Sequence, residues 1–503
     1  MILNIDGNIN RYYVQTLCMI FFPGSTFGEN EESGEDIPEV TVHVLSEDKK
    51  SVTAYVAIKL NDRVCEATET VSTDEEIVIA THSSIAVGRA LFAAGKELLG
   101  HIPPWGILTG IRPAKVAGQL LKSGKGIIKT KRIMRDEYFL NPQKAALAVS
   151  VASNEMKLLK KMPKDTCSLY ISIPFCPSRC AYCSFVSYTT PRLLSLIDDY
   201  LDSLIIELDE KLKIIKKCNL RLMTIYIGGG TPTTLSHHQL ERIFKKIKQH
   251  VNTDELTEFT LEAGRPDTIT AEKLKVAKKY GVTRISVNPQ TLNDEILREI
   301  GRKHTVEDFY KAYEIAKKSG IRDINVDLIA GLPNNSFKDF SETVDKIIEL
   351  EPTNITVHTF CVKKASDALK NNSSIYSINV TDATKGVSYA QLKAKFAGYK
   401  PYYMYRQKNT VSNLENVGFS LEGHEGMYNI YMMEETQTIF GVGAGAVTKL
   451  VNYRPDEEGG TLINRIFNPK YPYEYLRLKT DEKCIENSEK QRAQIYEFFK
   501  ITE

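Results

Sequence analysis

The chain has 503 residues, of which 42% are hydrophobic and 25% charged, values typical of folded globular proteins and enough for two or three domains. Its 65 basic and 63 acidic side chains leave a net charge of +2, which excludes the strong charge surplus of many nucleic-acid-binding chains. No apolar run approaches the ~20 residues of a membrane span, and residues 1–7 lack the features of a signal peptide, so we expect a cytoplasmic protein.

The first 160 residues are expected to form an α+β accessory domain. Residues 39–45 and 51–58 alternate apolar and polar side chains as β-strands do, and residues 83–99 have the apolar spacing of a helix. A later segment holds the only tryptophan, Trp105, between two Pro/Gly clusters. That pattern favours a packed linker, and a contact with a substrate or partner is the alternative.

Three cysteines on one short loop carry the clearest chemical signal. Cys176, Cys180 and Cys183 are spaced CxxxCxxC directly after the strand-like run 168–173. Three thiolates so close together can ligate three irons of a 4Fe–4S cluster and leave the fourth iron open to a small molecule. A structural zinc site needs a fourth Cys or His, usually in a second pair, and the next cysteine is Cys218. A disulfide framework is also disfavoured, because nine cysteines in 503 residues are sparse.

Three glycines end the next strand-like run, residues 224–230, and Thr231 follows them. Because glycine carries no side chain, such a turn lets a bound ligand approach the backbone closely. A GGG turn by itself is as typical of a strand end as of a ligand site. After a three-cysteine loop it indicates a ligand.

From residue 161 onwards, short apolar strands alternate with longer helical segments. This rhythm is typical of parallel βα units, and six of them predict a partial TIM-like (β/α)6 barrel over residues 161–400. In such barrels the chemistry gathers at the carboxyl ends of the strands. Besides the cysteine loop and the glycines, polar residues at those positions are Glu262, Asn288, Gln290 and Asp327. The predicted strands are residues 169–173, 224–227, 259–262, 284–287, 324–329 and 355–360.

The C-terminal segment, residues 401–503, is predicted to be a mixed, partly helical extension that covers the substrate. Residues 402–409 are aromatic and basic, and residues 440–446 form a run of small side chains that can pack tightly or lie against a flat ligand. That run lacks the Lys-Ser/Thr of a phosphate-binding loop, so we exclude nucleotide binding there. Helical patterning returns over residues 470–503.

The cysteine loop and the glycine turn together resemble the signatures of the radical S-adenosylmethionine (SAM) superfamily. Other motifs narrow the resemblance to the oxygen-independent coproporphyrinogen III oxidases, and within them to the HemZ-like branch. The motifs of the family are residues 169–176, 286–290, 301–304 and 325–333, and those of the branch are residues 105–113, 405–418 and 441–449.

The resemblance implies the radical SAM barrel and its two cofactors, a 4Fe–4S cluster and SAM. Cys176, Cys180 and Cys183 would ligate the cluster. Tyr170 and Tyr182, beside it, would contact SAM at the open iron, and Tyr170 is the candidate catalytic residue.

The resemblance also implies how SAM is held. Gly229 and Glu262 would hold its polar groups. A second pocket beside them would take another SAM or the substrate, so one SAM or two are expected. Carboxylates can receive ribose hydroxyls or the ammonium group, and arginine can pair with the methionine carboxylate. The residues implied for the second pocket are Gly230, Thr231, Gln290, Arg302 and Asp327.

The implied activity is oxidative decarboxylation. Cleavage of SAM would give a 5′-deoxyadenosyl radical that takes a hydrogen from the β-carbon of a substrate propionate. Loss of carbon dioxide and one electron would leave a vinyl group, and two rounds would convert coproporphyrinogen III to protoporphyrinogen IX. The partners would be this tetrapyrrole and a reducing electron donor such as flavodoxin or ferredoxin. Candidate partners of the propionates are Arg112, Arg406 and Lys408.

Two positions depart from the oxidase pattern. Ser172 stands where the oxidase branch has histidine, and Cys183 is followed by Ser184 and Phe185 rather than by a further cysteine. The CxF form also occurs in related proteins that look like haem chaperones. A haem-binding chaperone and a different radical SAM reaction on a tetrapyrrole are therefore the alternatives. The candidate axial haem ligands are His358, His424 and Cys361.

Overall fold

The computed structural model describes residues 1–23, 25–27, 36–47, 50–73, 81–110, 112–183, 185, 187–361, 380–407, 410, 413–452, 461–477 and 481–501. The chain divides into two compact units, residues 1–160 with 404–416, and residues 161–403 with 417–503. The predicted C-terminal extension is therefore shared between the two units. No helix within the described ranges is both long and apolar enough to cross a membrane.

The first unit combines a four-stranded sheet with helices. Its elements are β1 (Ile2–Asp6), α1 (Arg11–Phe21), β2 (Glu39–Glu47), β3 (Ser51–Leu60), β4 (Arg63–Ser72), α2 (His82–Leu99), α3 (Pro113–Lys122), α4 (Ile127–Asp136) and α5 (Pro142–Leu159). The sheet has the order β1-β2-β3-β4, with β1 parallel to β2 and the other pairs antiparallel. Along β3, every second residue from Val52 to Ile58 is buried, so one face of the sheet packs against α2.

A buried polar cluster in the first unit surrounds Glu415. This carboxylate accepts hydrogen bonds from the Trp105 indole (2.8 Å) and from Lys144 Nζ (2.5 Å). The Arg406 guanidinium lies over the Trp105 ring, 5.6 Å from its centroid, and donates to Leu108 O (2.5 Å). Trp105 is therefore part of the core of this unit.

The second unit contains the six predicted βα units. Its strands β5 (Thr166–Ile173), β6 (Arg221–Gly229), β7 (Glu258–Glu262), β8 (Arg284–Ser286), β9 (Asp323–Ala330) and β10 (Asn354–Thr359) lie side by side in chain order, all parallel. The helices between them are α6 (Pro191–Leu194), α7 (Ile197–Lys217), α8 (His237–His250), α9 (Ala271–Lys279), α10 (Asp294–Glu299), α11 (Val306–Lys318) and α12 (Phe337–Glu349). The predicted partial (β/α)6 barrel is confirmed.

One face of the barrel strands is apolar and the other is largely polar. In β7, Phe259 packs against Phe244 of α8, with ring centroids 5.8 Å apart, so the apolar face meets the helices. Glu258, Thr260 and Glu262 alternate with it and lie on the inner face. Since TIM barrels usually fill their interior with branched apolar residues, a polar lining indicates space for a polar ligand. The lining includes Tyr170, Tyr226, Ser286, Asn325, Asp327, Thr356 and His358.

Strands from the C-terminal part of the chain extend this sheet on both sides. Beside β5, the sheet continues with β13 (Thr438–Val442), which runs parallel to β5, and then with β14 (Val447–Asn452) and β15 (Leu462–Phe467). Beside β10, it continues with β12 (Glu415–Ser420), which runs antiparallel to β10, and then with β11 (Lys400–Arg406). The remaining helices are α13 (Val380–Phe396), α14 (Met427–Glu434), α15 (Pro472–Leu476) and α16 (Glu482–Phe498). The helical pattern over residues 470–503 predicted the terminal helix, whereas these five strands were not predicted.

Candidate active site

The residues predicted to bind the cluster and SAM lie at the carboxyl end of the barrel strands. The cysteine loop follows β5, Gly229 ends β6, and Glu262 ends β7. Gln290 follows β8, and Asp327 lies in the second half of β9. The fold therefore brings together at one rim residues that are far apart in sequence.

Main-chain hydrogen bonds anchor the cysteine loop. Cys176 N donates to Tyr188 O and Cys183 N donates to Cys180 O, both at 3.1 Å. Cys176 is buried, with its sulfur 3.3 Å from Thr231 Oγ1, whereas the other two cysteines are partly exposed. Burial raises the pKa of the Cys176 thiol to about 11, so metal binding there must displace a proton.

Arg265, which was not among the predicted site residues, holds this loop in place. The residue follows β7, is 3% exposed, and donates from its guanidinium to Ser178 Oγ (2.7 Å) and Cys180 Sγ (3.4 Å). Asp267 lies 3.3 Å from its Nε. The available signal was its place among the polar residues that follow a barrel strand, three positions after Glu262.

The three cysteines fit a 4Fe–4S cluster by their chemistry. All three lie on one loop and none forms a disulfide, and thiolates are the ligands that such clusters use. In the part of the chain that the structure describes, no three Cys, His, Asp or Glu side chains converge as ligands of a single metal ion would. A four-iron cluster is itself a wide group, so its ligands stand farther apart than those of one ion.

The glycine turn comes very close to the cysteine loop. Gly229 has a φ of +110°, a conformation that L side chains rarely adopt. A Cβ at Gly230 would lie 2.9 Å from Cys176 Sγ, and a Cβ at Gly228 would lie 2.8 Å from Glu262 Oε2. The turn thus packs its backbone directly against a cysteine of the loop on one side and against the Glu262 carboxylate on the other.

Glu262 is hydrogen bonded to a tyrosine of the neighbouring strand. The Tyr226 hydroxyl donates to Glu262 Oε1 at 2.5 Å. Burial raises the pKa of Glu262 to about 7, against the opposing effect of the hydrogen bonds from Tyr226 and Gly229. A cationic or hydrogen-bond-donating ligand would favour the carboxylate form, so Glu262 is suited to hold an ammonium group or a ribose hydroxyl.

Tyr170 belongs to a stack of three tyrosines inside the barrel. Its ring centroid lies 6.1 Å from that of Tyr226 and 6.4 Å from that of Tyr428, and the last two are 4.5 Å apart. Tyr428 comes from α14, and no local pattern predicts its role, because its partners are more than 200 residues away in the chain. Tyr182 lies on the cysteine loop, where burial raises its pKa and nearby Arg302 opposes that shift.

Asp327 is the centre of a polar group on the inner face. It accepts hydrogen bonds from Asn288 Nδ2 (2.8 Å) and Asn325 Nδ2 (2.7 Å), and His358 Nε2 lies 3.7 Å away. Burial acts to raise the pKa of Asp327, but the contacts with His358 and Asn325 outweigh it and lower that pKa. Asp327 is therefore a carboxylate at neutral pH, and His358 is engaged with it.

Gln290 and Arg302 lie at the same rim, and each has a buried polar atom without a hydrogen-bond partner among the described residues. Gln290 has a φ of +70° and donates from its N to Asp327 O (3.1 Å), while its Oε1 has no partner in the described ranges. Arg302 donates to Asn288 O (2.8 Å) and Gly264 O (3.1 Å), and its Nε has no partner there either. Such atoms are expected where a ligand completes the site.

Comparison with known proteins agrees with this geometry. Residues 170–347 match a family described as the radical SAM superfamily. Over 385 residues the chain is 38% identical to the oxygen-independent coproporphyrinogen-III oxidase-like protein HemZ of Bacillus subtilis strain 168, which covers 75% of this chain and 76% of that protein. The chain therefore belongs to the oxygen-independent coproporphyrinogen-III oxidase-like family of the radical SAM superfamily. Membership of the radical SAM superfamily implies a 4Fe–4S cluster and SAM as its cofactors.

Other relatives of this radical SAM protein have different names. The heme chaperone HemW of Bacillus subtilis is 31% identical over 326 residues, which cover 63% of this chain and 81% of HemW. Among solved structures, the coproporphyrinogen III oxidase HemN of Escherichia coli matches with a TM-score of 0.49 and 20% identity, over 65% of this chain and 72% of that one. The relatives in sequence thus include a protein named as oxidase-like and a protein named as a heme chaperone.

The candidate propionate partners lie in the first unit or outside the described residues. Arg112 directly precedes α3. Arg406 is 3% exposed and donates to main-chain oxygens of its own unit. Lys408, and Ser184 after the third cysteine, lie outside the described residues.

The remaining predicted haem ligands, and the serine that departs from the oxidase pattern, lie at different places in the barrel unit. His424 Nδ1 lies 2.6 Å from Asp323 Oδ1, at the amino end of β9 and so at the opposite end of the barrel from the cysteine loop. His424 is therefore not placed to serve that rim. Cys361 is buried just after β10. Ser172 donates to Ala444 O (2.8 Å) and ties the end of β5 to the turn after β13.

Proposed function

We propose that this radical SAM protein is an oxygen-independent coproporphyrinogen III oxidase that converts two propionates to vinyl groups and yields protoporphyrinogen IX. The observation that carries the proposal is the meeting of the cysteine loop, the glycine turn and Glu262 at one rim of a barrel with a polar lining. Similarity to HemZ supports a tetrapyrrole as the substrate. The proposal includes one or two SAM molecules, a reducing donor such as flavodoxin or ferredoxin, and a place in the cytoplasm.

The residues at the rim have two separate roles, binding of the cluster and binding of SAM. In this proposal Cys176, Cys180 and Cys183 hold the cluster, while Gly229 and Glu262 hold SAM. When bound, these cofactors supply a radical able to take hydrogen from an unactivated carbon. The protein fixes the three sulfurs through main-chain hydrogen bonds and offers Glu262 to the ligand's donors. The tyrosine stack lies beside that carboxylate and donates a hydrogen bond to it from Tyr226.

The test is anaerobic reconstitution with iron and sulfide, followed by reaction with SAM, dithionite and coproporphyrinogen III. We expect 5′-deoxyadenosine and a tetrapyrrole lighter by two carboxyl groups, both detected by mass spectrometry. Cys176→Ala should abolish both products. Cys218→Ala is the matched control, because Cys218 lies at the end of α7 and should leave both products unchanged. 5′-Deoxyadenosine with unchanged coproporphyrinogen would keep the radical chemistry and reject the substrate.

A haem chaperone is the second candidate, and two features favour it. Phe185 gives the cysteine loop its CxF form, and Ser172 replaces the histidine of the oxidase branch while bonding to the turn after β13. Relatives named HemW share this family. Stoichiometric haem binding without SAM cleavage, retained in Cys176→Ala, would support the chaperone over the oxidase.

A further inference from the structure

Two deeply buried arginines lie around Cys180. Arg265, from the turn after β7, is 3% exposed, and Arg302, from the loop between α10 and α11, is 5% exposed. Arg265 donates to the Cys180 sulfur at 3.4 Å. The segment that carries Arg302 packs against the cysteine loop, since Ala181 N donates to Ile300 O (3.0 Å) and Ser178 Oγ donates to Gly301 O (3.3 Å). Arg265 therefore contacts Cys180 directly, and Arg302 is held beside the same loop.

Few of the described carboxylates contact them directly, although Asp267 and Asp327 act on Arg302 from a greater distance. Burying a guanidinium is unfavourable unless an anion compensates it. Arg265 has Asp267 at 3.3 Å, a side chain that is 26% exposed. Arg302 has carbonyl acceptors and, among the described residues, no carboxylate within 4.0 Å. Burial together with these two arginines lowers the pKa of His304 to about 3, which indicates a positive potential in this region.

A bound cluster would provide the missing anion. An iron–sulfur core ligated by three thiolates is negatively charged, and one-electron reduction adds a further negative charge. A buried positive charge close to a ligand sulfur stabilises the reduced form more than the oxidised form, since Coulomb energy grows with the charge. Hydrogen bonds to ligand sulfurs act in the same direction.

We propose that Arg265 and Arg302 form a cationic cradle that holds the cluster through Cys180 and raises its reduction potential. The inference rests on the proposed cluster site. Arg265 also positions the loop, since its two terminal nitrogens reach Ser178 Oγ and Cys180 Sγ at once. Lysine at this position would keep the charge but lose the two-pronged contact.

The test measures the cluster itself, without substrate. Arg265→Gln, Arg265→Lys and Arg302→Gln are reconstituted anaerobically, and iron and sulfide content and the reduction potential are measured, the latter by EPR-monitored titration. At a fixed solution potential, we expect the ratio of reduced to oxidised cluster to fall by about tenfold in both Gln variants. Arg265→Lys should keep the parent ratio but bind less iron. Lys303→Gln is the matched control, because this lysine is exposed beside Arg302 and should change neither quantity.

Each possible result either supports or rejects the role of the two arginines in setting the reduction potential. Gln variants that bind a full cluster at the parent potential would overturn the cradle. If Arg265→Gln binds no iron, Arg302→Gln and Arg265→Lys carry the decision: an unchanged potential in Arg302→Gln rejects the proposal. A parent protein that binds no cluster would reject the proposed function first, so the two failures are distinguishable.

Discussion

At the scale of single residues, Glu262 couples the stability of the cofactor-free protein to pH. Burial raises its pKa from 4.5 to about 7, so the folded protein binds this proton more tightly than the unfolded chain does. Its contribution to the free energy of unfolding is therefore complete below pH 4.5 and is lost as the pH rises through about 7. The shift corresponds to at most about 3 kcal/mol.

Glu262→Gln should remove this pH dependence, because a neutral amide binds no proton in this range. Relative to the parent, the variant should gain up to about 3 kcal/mol between pH 4.5 and 7.5, measured by urea unfolding. Tyr226→Phe should steepen the parent profile, since it removes a hydrogen bond that lowers the pKa. Parallel profiles for parent and Glu262→Gln would show that Glu262 does not titrate there.

At the scale of elements, the glycine turn and the cysteine loop depend on each other's shape. A methyl group at Gly230 would lie 2.9 Å from Cys176 Sγ, closer than real carbon contacts allow. Gly230→Ala should therefore cost about 1–3 kcal/mol of stability and lower cluster content several-fold, measured by unfolding and by iron analysis. Gly118→Ala is the control, because its nearest new contact is 3.9 Å and a helical alanine should be neutral or stabilising. Equal iron content in the two variants would contradict the packing argument.

The sequence predicted those elements whose signals are local. Short apolar runs between longer helical segments predicted the strands β5 to β10, and the spacing of Cys176, Cys180 and Cys183 predicted the loop. The position of β13 beside β5 has no local signal, because it depends on pairing between residues about 270 positions apart. Tyr428 was missed for the same reason, because its partners lie more than 200 positions away. Arg265 had a local signal in its place after a barrel strand, but its contact with the cysteine loop depends on how the strands lie side by side.

At the scale of the whole molecule, the barrel unit has a buried ionic network at the end opposite the cysteine loop. Arg284 lies 3.3 Å from Asp323 and 3.7 Å from Glu258, and it donates to Asn354 Oδ1 (2.5 Å) and His424 O (2.9 Å). These contacts join the first residues of four consecutive strands to the segment before α14. The amino end of the barrel is thus closed by charge, while the carboxyl end stays available for ligands.

Two arginines contact the same carboxylate, one buried and one exposed, so the contribution of the buried charges to stability can be tested by comparing them. Arg284 and Arg322 both contact Asp323, but the first side chain is 6% exposed and the second 53%. Arg284→Met removes the buried cation beside Glu258 and leaves Asp323 with only Arg322 and His424, which are more exposed, so it should cost about 3–5 kcal/mol in denaturant unfolding. Arg322→Met removes an exposed partner and should cost less than about 1 kcal/mol. Similar losses for the two variants would mean that the network is screened by water and that packing, rather than buried charge, closes the barrel.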